Sequence, residues 1–532
     1  MDSTLLSRLY DQVDQLTDRA THFVSTNQQL ESMVTKAYEQ LNDCLEDNGQ
    51  GQLVLLEGGI YRGTWLESTG TINAEILSRF MPDVAKNTFE LFATHQRQDG
   101  LIPYKWTTDG PAYRQIQMVT PLARSVWNHY VSTGKNKAFL QRMYTAMASF
   151  DKWLVDNRDT RKTGCVEAFS TFDTGHDNSP RFWHVPDVPH AGDATKCHPD
   201  SPTLPFIAPD LTANVYCQRK YLALMADELG DDNNSDWLSL SDTSLTGLFT
   251  HCFHEEDTFF YDLDINNQHV KVQSDVLLRV LACEVGDHTL FKQALHKYLL
   301  NTGKFFAKYP FPSISLDEAR FDPTSTNYNS WSGTTNFLSL IRAPHAFEYH
   351  GHVVELTWVM QQILSAFNHM DRFPQTLNPW TGEAGFTEVY SPSILCLLDY
   401  IERLSGILPR PNGELWVTGL TPYPYKHADQ LSETAYSRRI KDNRYELLNS
   451  QDSCTLYQNK KEIATFPAGV RLILSTTDES ISIVGMTVRT ITDTLTYRGV
   501  SYPFTLNGNE VLKLQKGKWE QISSVGVVHP TY

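Results

Sequence analysis

No stretch of the 532-residue chain approaches the eighteen or so consecutive apolar residues of a membrane span. The opening Met1-Asp2-Ser3-Thr4 has neither the basic nor the apolar region of a secretory leader. The eight cysteines, at 44, 165, 197, 217, 252, 283, 396 and 454, show no Cys-x-x-Cys and no paired spacing. Most fall inside apolar helical patterns and read as reduced, buried thiols. Basic residues are in deficit, 45 Lys and Arg against 62 Asp and Glu, for a formal charge of −17. So acidic a surface repels phosphate backbones and anionic lipid, so neither nucleic acid nor membrane is an expected partner. The chain also lacks a P-loop, a dinucleotide glycine turn and a nucleophile elbow. These absences predict a cytoplasmic globular protein, and 41% apolar with 20% charged residues is ample for a folded core.

Helical periodicity dominates the first four hundred residues. Leu5, Leu9, Val13 and Leu16 recur every three or four positions behind Asp2-Ser3-Thr4, which offers N-cap oxygens, so residues 5–44 read as one or two helices. The stripe repeats at Phe139, Met143, Met147, Phe150 and Leu154, at Leu290, Ala294 and Tyr298, at Val353, Leu356, Met360, Ile363 and Phe367, and over 394–404. The connections at 57–70, 98–113, 170–209, 322–333 and 375–388 are long and rich in aromatic, acidic, Gly and Pro residues, a composition unlike a solvated linker. Helix pairs joined by long, functional loops predict a mainly α protein, an (α/α)6 barrel with its site at one end. After Pro409-Arg410-Pro411-Asn412-Gly413 the texture changes to short β-branched runs at 414–417, 445–448, 455–457, 470–475, 481–490 and 511–514, with Asn507-Gly508 as a hairpin signal. The expected organisation is a barrel over 1–411 and a small antiparallel β domain over 412–532.

The segment Thr171-Phe172-Asp173-Thr174-Gly175-His176-Asp177-Asn178-Ser179-Pro180-Arg181-Phe182 packs two carboxylates, an imidazole and a guanidinium around one turn. Turn chemistry accounts for Gly175, Asn178 and Pro180 but not for the charged groups among aromatics. Trp65, Trp106, Trp331 and Trp380 lie in Gly- and Pro-rich loops, where an indole offers the apolar face that a sugar ring needs. His184, His190, Asp193, Cys197 and His198 crowd one loop without a chelate spacing; a rim over the leaving-group site is expected there, and no metal.

Asp177-Asn178-Ser179-Pro180-Arg181 resembles the Asp-Asn-Ser-Pro-Arg signature of glycoside hydrolase family 63 and its mannosylglycerate and glucosylglycerate hydrolase relatives. Four further stretches are similar in the same order: Gln98-Asp99-Gly100-Leu101-Ile102-Pro103, Asp210-Leu211-Thr212-Ala213-Asn214, Asn329-Ser330-Trp331-Ser332-Gly333 and Asn378-Pro379-Trp380-Thr381-Gly382-Glu383. The resemblance covers roughly residues 50–405. It implies a six-hairpin glycosidase with Asp177 as general acid. Tyr61, Trp65 and Glu67 resemble the family's first barrel loop, where aromatics and carboxylates hold sugar hydroxyls, and Gln117 lies in a similar substrate-binding stretch. Asp173, His176, Trp331 and Trp380 join them as expected substrate contacts. Arg181 is expected either to bind a carboxylate of the substrate or to orient Asp177.

An inverting glycosidase needs a second carboxylate, about 6.5–9.5 Å from the acid, to take a proton from water. The family's base stands a few residues before Asn-Pro-x-Thr-Gly, and here that place reads Arg372-Phe373-Pro374-Gln375-Thr376-Leu377, without a carboxylate. Glu383 or Glu388 in the same loop is the expected replacement, with Glu348 and Glu355 on the preceding helix as further candidates. The expected activity is inverting hydrolysis of a short α-glucoside or α-mannoside, requiring no cofactor. The expected partners are a small carbohydrate and, at most, further copies of the chain. An epimerase, a lyase or an inactive sugar-binding protein on the same barrel is the alternative, since fold does not fix function.

Overall fold

A computed structural model describes residues 3–324, 331–421 and 432–532. Asp2 of the expected N-cap, and Asn329 and Ser330 of the Trp331 motif, lie outside the described residues. The chain divides into two compact units, one of Leu41–Ala346, Arg372–Ser393 and Pro530–Tyr532, the other of Met1–Gln40, Phe347–Asp371 and Ile394–His529.

The first unit is mainly helical. Its longest helix, Lys137–Arg158, starts where Asn136 accepts the Phe139 amide at 3.1 Å, and it buries the Phe139, Met143, Met147, Phe150 and Leu154 stripe. Helix Pro209–Leu229 begins with Pro209 in its first turn and ends at Gly230, whose φ of +73° is the left-handed C-cap that suits glycine. It is buried along most of its length and packs against Leu122–Ser132, Lys137–Arg158 and Asn234–His251. Several two-stranded to four-stranded sheets join the loops at one another's edges. Among them Thr64–Trp65, Lys105–Thr107 and Gly110–Ala112 form one antiparallel ribbon, with Trp65 opposite Lys105. Among the described residues no helix is long and apolar enough to cross a membrane. All eight cysteines are free thiols, and only Cys197 is less than buried.

The second unit is built on two antiparallel sheets. One runs Thr21–Ser25, Thr434–Ile440, Asn443–Asn449, Ser453–Gln458, Lys461–Pro467, Ile491–Tyr497 and Val500–Leu506; the other runs Ile407–Pro409, Glu414–Thr418, Val470–Ser475, Ile481–Gly485, Glu510–Gln515 and Lys518–Ser524. Two expectations are corrected here. The segment 5–44 is not helical throughout. Between helices Ser3–Gln15 and Gln28–Asp43, the buried run Thr21–Ser25 pairs with Thr434–Ile440, and Leu5, Leu9, Val24 and Ala435 pack together. Asn507-Gly508 is not a hairpin turn, because the strands on either side of it belong to different sheets. The crossover is held by Asn507, whose amide donates to Glu510 at 2.7 Å, and Gly485 admits it, since a Cβ there would meet the Asn507 carbonyl.

Glu348 and Glu355 are buried in this second unit. Glu348 accepts from Arg403 and Arg410, whose charges outweigh the effect of burial and lower its pKa. Glu355 is fully buried. It accepts from the Val528 amide at 2.7 Å, from Asn509 Nδ2 at 2.7 Å and from the His352 ring at 2.9 Å. Truncating it strands three buried partners. We expect Glu355→Ala to destabilise this unit by about 3 kcal/mol, read as lost amide-exchange protection at Val528; unchanged protection there would show that the carboxylate is dispensable.

Candidate active site

Helix Lys137–Arg158 ends on the side chain that orders the acidic loop. Arg158 is fully buried and donates to both oxygens of Asp173 at 2.8 and 3.0 Å and to the Glu167 and Ala194 carbonyls. Asp173 also accepts the Ile116 and Phe169 amides, so its carboxylate is saturated. A few residues on, Arg181 uses all five N–H groups at 2.5–2.9 Å, on Asp262, Asp210 and His176. The arginine charges on Asp210 outweigh its burial and hold it well below the usual carboxylate range. His176 accepts from Arg181 at Nδ1 and therefore donates from Nε2 to Asp275 at 2.7 Å. Burial, and then the Arg279 charge, push its pKa down to about 4, so the ring is neutral. Trp331 is fully buried, 4.8 Å from the His176 ring and 4.7 Å from the Arg279 guanidinium, and its amide donates to the Asp177 carbonyl at 3.2 Å. Asp173, His176, Arg181 and Trp331 thus build the turn from behind.

Asp177 itself is half-buried in its turn and faces a cavity of about 150 Å³. Glu57, Tyr61, Trp65, Glu67, Tyr104, Lys105, Arg114, Gln115, Gln117, Phe172, Gly175, Leu338 and Gln375 complete its wall. Tyr61, Trp65, Glu67 and Gln117 therefore stand where the sequence places them, beside Asp177. Gln117 donates to Glu67 Oε2 at 2.6 Å and accepts from Gln115 at 3.0 Å, from a backbone at φ +41°. That left-handed conformation in a bulky residue is strain held at the site. Glu67 Oε1 and Gln115 Oε1 are buried without a hydrogen-bond partner. Two unpartnered acceptors beside the Trp65 and Tyr61 rings suit a ligand that brings hydroxyl donors and an apolar C–H face.

Electrostatics divide the wall. Burial raises the Glu67 carboxyl against the pull of Arg279 and Arg342. Burial and the neighbouring Glu67 push Glu57 up to about 8, and Tyr390 donates to it at 2.6 Å. Lys105 and Arg114 are the cations of the wall, and the Lys105 Nζ sits 5.2 Å over the Trp65 ring. Gln375 accepts the Tyr61 hydroxyl at 3.1 Å. Glu57, Tyr104, Lys105, Arg114 and Gln115 were not singled out by sequence; the opposition of Trp65 and Lys105 across the ribbon is the signal that finds Lys105.

Glu383, Glu388 and Trp380 lie outside this wall, with Glu388 and Trp380 open to solvent. Asn378 Oδ1 caps the Trp380 and Thr381 amides, which turns 378–383 outward, and Glu388 pairs with Arg372 at 3.3 Å on the surface. In the 184–198 loop, Asp193 is bonded by Thr195 and paired with Lys196, and His198 bonds the Val188 carbonyl.

The model of the mannosylglycerate hydrolase MGH1-like glycoside hydrolase domain matches residues 61–393. No curated protein sequence matches the chain. Among solved structures, a GH63 mannosylglycerate hydrolase from Thermus thermophilus in complex with Tris aligns over 69% of this chain and 99% of its own, at TM-score 0.58 and 17% identity. The same enzyme in complex with glucose aligns over 69% and 100%, at 0.58 and 17%. A sialidase aligns over 89% of this chain and 42% of its own, at 0.65 and 14%. At these identities the likeness concerns fold, a helical core with a β-sheet region.

Two outcomes follow from the cavity. Glu57 has a folded pKa of about 8 against an ordinary 4.5, so its contribution to stability is complete below about pH 4.5 and is lost as pH rises through 8. Thermal melts from acidic to alkaline pH should show the wild type losing stability relative to Glu57→Gln; parallel curves would refute the buried, protonated state. Gly175, at φ +68°, would place a Cβ 2.4 Å from both Glu67 oxygens. Gly175→Ala should therefore cost about 2 kcal/mol in urea unfolding, and a neutral result would mean that Glu67 can be displaced freely.

Proposed function

Because the chain belongs to the mannosylglycerate hydrolase MGH1-like glycoside hydrolase family, we propose that it cleaves a short α-glucoside or α-mannoside with anomeric inversion, using Asp177 as the general acid. The observation that carries this reading is the cavity itself: Asp177 opens onto a small chamber whose floor has two buried, unpartnered acceptors, Glu67 Oε1 and Gln115 Oε1, beside two aromatic rings. Sugar hydroxyls supply the missing donors, and Trp65 supplies a face for the ring. The helical unit is read as an (α/α)6 barrel and the free thiols as those of a cytoplasmic enzyme.

In this mechanism Asp177 passes its proton to the glycosidic oxygen as the C1–O bond breaks, and a nucleophile reaches C1 from the opposite face. Hydrolysis draws its base from Glu383 or Glu388, on the loop that also carries Gln375. Both stand outside the cavity wall, so that loop has to fold over the sugar to bring either one to the water.

Asp177→Asn should lower kcat on the cleaved glycoside by about 10²–10⁴-fold, with the released sugar appearing first as the β anomer by NMR in the wild type. Retention of activity in Asp177→Asn rules out the acid assignment. Glu383→Gln and Glu388→Gln divide the base question. A loss of about 10²–10⁴-fold in one identifies it, and unchanged kcat in both excludes the pair.

A further inference from the structure

The wall of the Asp177 cavity presents two cations and an amide, and we infer from this that inorganic phosphate is the acceptor of the sugar, making the protein a glycoside phosphorylase. The inference rests on Asp177 as the acid and departs from the reading above only in what attacks C1. Water must lose a proton as it attacks, which requires an ionised carboxylate on that side. Hydrogenphosphate already carries the charge and needs no base. Of the carboxyl groups in the wall besides Asp177, Glu57 is held protonated near neutral pH by burial and by Glu67, and burial raises Glu67 as well. Neither is suited to take a proton from water, and a protonated Glu57 does not repel an anion.

The cations are placed for one. Lys105 lies opposite Trp65 in the ribbon, with Nζ 5.2 Å over that ring and 5.9 Å over Tyr104, and the Arg114 guanidinium lies 5.8 Å over Tyr104. Within the wall both lie against these aromatic rings, with Arg114 bonded to the Tyr104 side chain; burial and the Arg114 charge lower the Lys105 pKa, and Asp109, outside the wall, acts against them. Gln375 has its Oε1 engaged by the Tyr61 hydroxyl, which leaves the amide N–H2, a donor, as the group that it offers. A lysine, an arginine and an amide donor form a set that binds phosphate oxygens. In a chain of net charge −17 a lysine and an arginine in one small wall run against the overall composition.

The step balances. An oxygen of HPO4²⁻ gives its electron pair to C1 from the face opposite the leaving group. The C1–O bond breaks with its pair on the glycosidic oxygen, which takes the proton of Asp177. The products are the free alcohol and a β-sugar 1-phosphate monoanion, whose remaining proton returns to the Asp177 carboxylate. Nothing is oxidised or reduced.

The full-length protein should be incubated with a panel of short α-glucosides and α-mannosides, including mannosylglycerate, in phosphate-free buffer and again with added inorganic phosphate, with products followed by 31P and 1H NMR. The expected result is cleavage that depends on phosphate and yields β-sugar 1-phosphate. Lys105→Ala and Arg114→Ala, both outside the buried clamp, should each raise the KM for phosphate by about tenfold, a larger effect than on the KM for the glycoside. Free sugar released at the same rate without phosphate overturns the inference and leaves the Asp177 reading standing. Phosphate-independent cleavage confined to glycosides with a carboxylate on the aglycone, and lost in Lys105→Ala, also overturns it and assigns the cations to that carboxylate. No cleavage in either buffer overturns both readings.

Discussion

The site depends on one guanidinium. Arg181 spends every donor that it has on Asp210, Asp262 and His176, and Asp210 comes from the helix that runs through the core. A buried arginine with unmet donors would be costly, so the turn that carries it has one geometry in which the charge is satisfied. That geometry leaves Asp177 as the acidic side chain of the segment that faces the cavity, while Asp173 is tied behind it by Arg158. It also fixes the proton on His176 at Nε2, since Nδ1 must accept. A flexible surface loop would have no means of holding one carboxyl toward a ligand and its neighbours away.

The second constraint is steric. Glu67 reaches the cavity by lying against the backbone of Gly175, where no side chain fits, and Gln117 grips its other oxygen from a strained backbone. The outcome is a crowded pair of carboxyl groups whose pKa burial raises, beside Lys105 and Arg114.

Much of this was legible in the sequence, and for identifiable reasons. Long helices announce themselves because an apolar stripe must repeat, as Phe139 to Leu154 does. The five residues of Thr21–Ser25 carry no such repeat and sit between two helices, so the strand becomes visible only when its partner at Thr434–Ile440 is in place. The Asp177 motif and the loop of Tyr61, Trp65 and Glu67 were found by residue type and order. Which side chains point inward was not, because burial is decided by partners distant in sequence: Arg181 by Asp262, Lys105 by Trp65. Glu383 and Glu388 were expected inside on the strength of their nearness to Gln375. The Asn378 cap turns that stretch outward, an effect of two backbone amides that no count of carboxylates anticipates.

The pairing of Thr21–Ser25 with Thr434–Ile440 has a consequence in time. Roughly four hundred residues separate the two strands. A ribosome adding about 5–20 residues per second makes the first strand some 20–80 seconds before the second exists. Through that interval a strand with unpaired backbone groups has to be shielded by the flanking helices or by a chaperone, whereas the helical core can pack as it emerges. That edge of the large sheet therefore closes only after about four-fifths of the chain has been made, and it is the place where misassembly between nascent chains would begin.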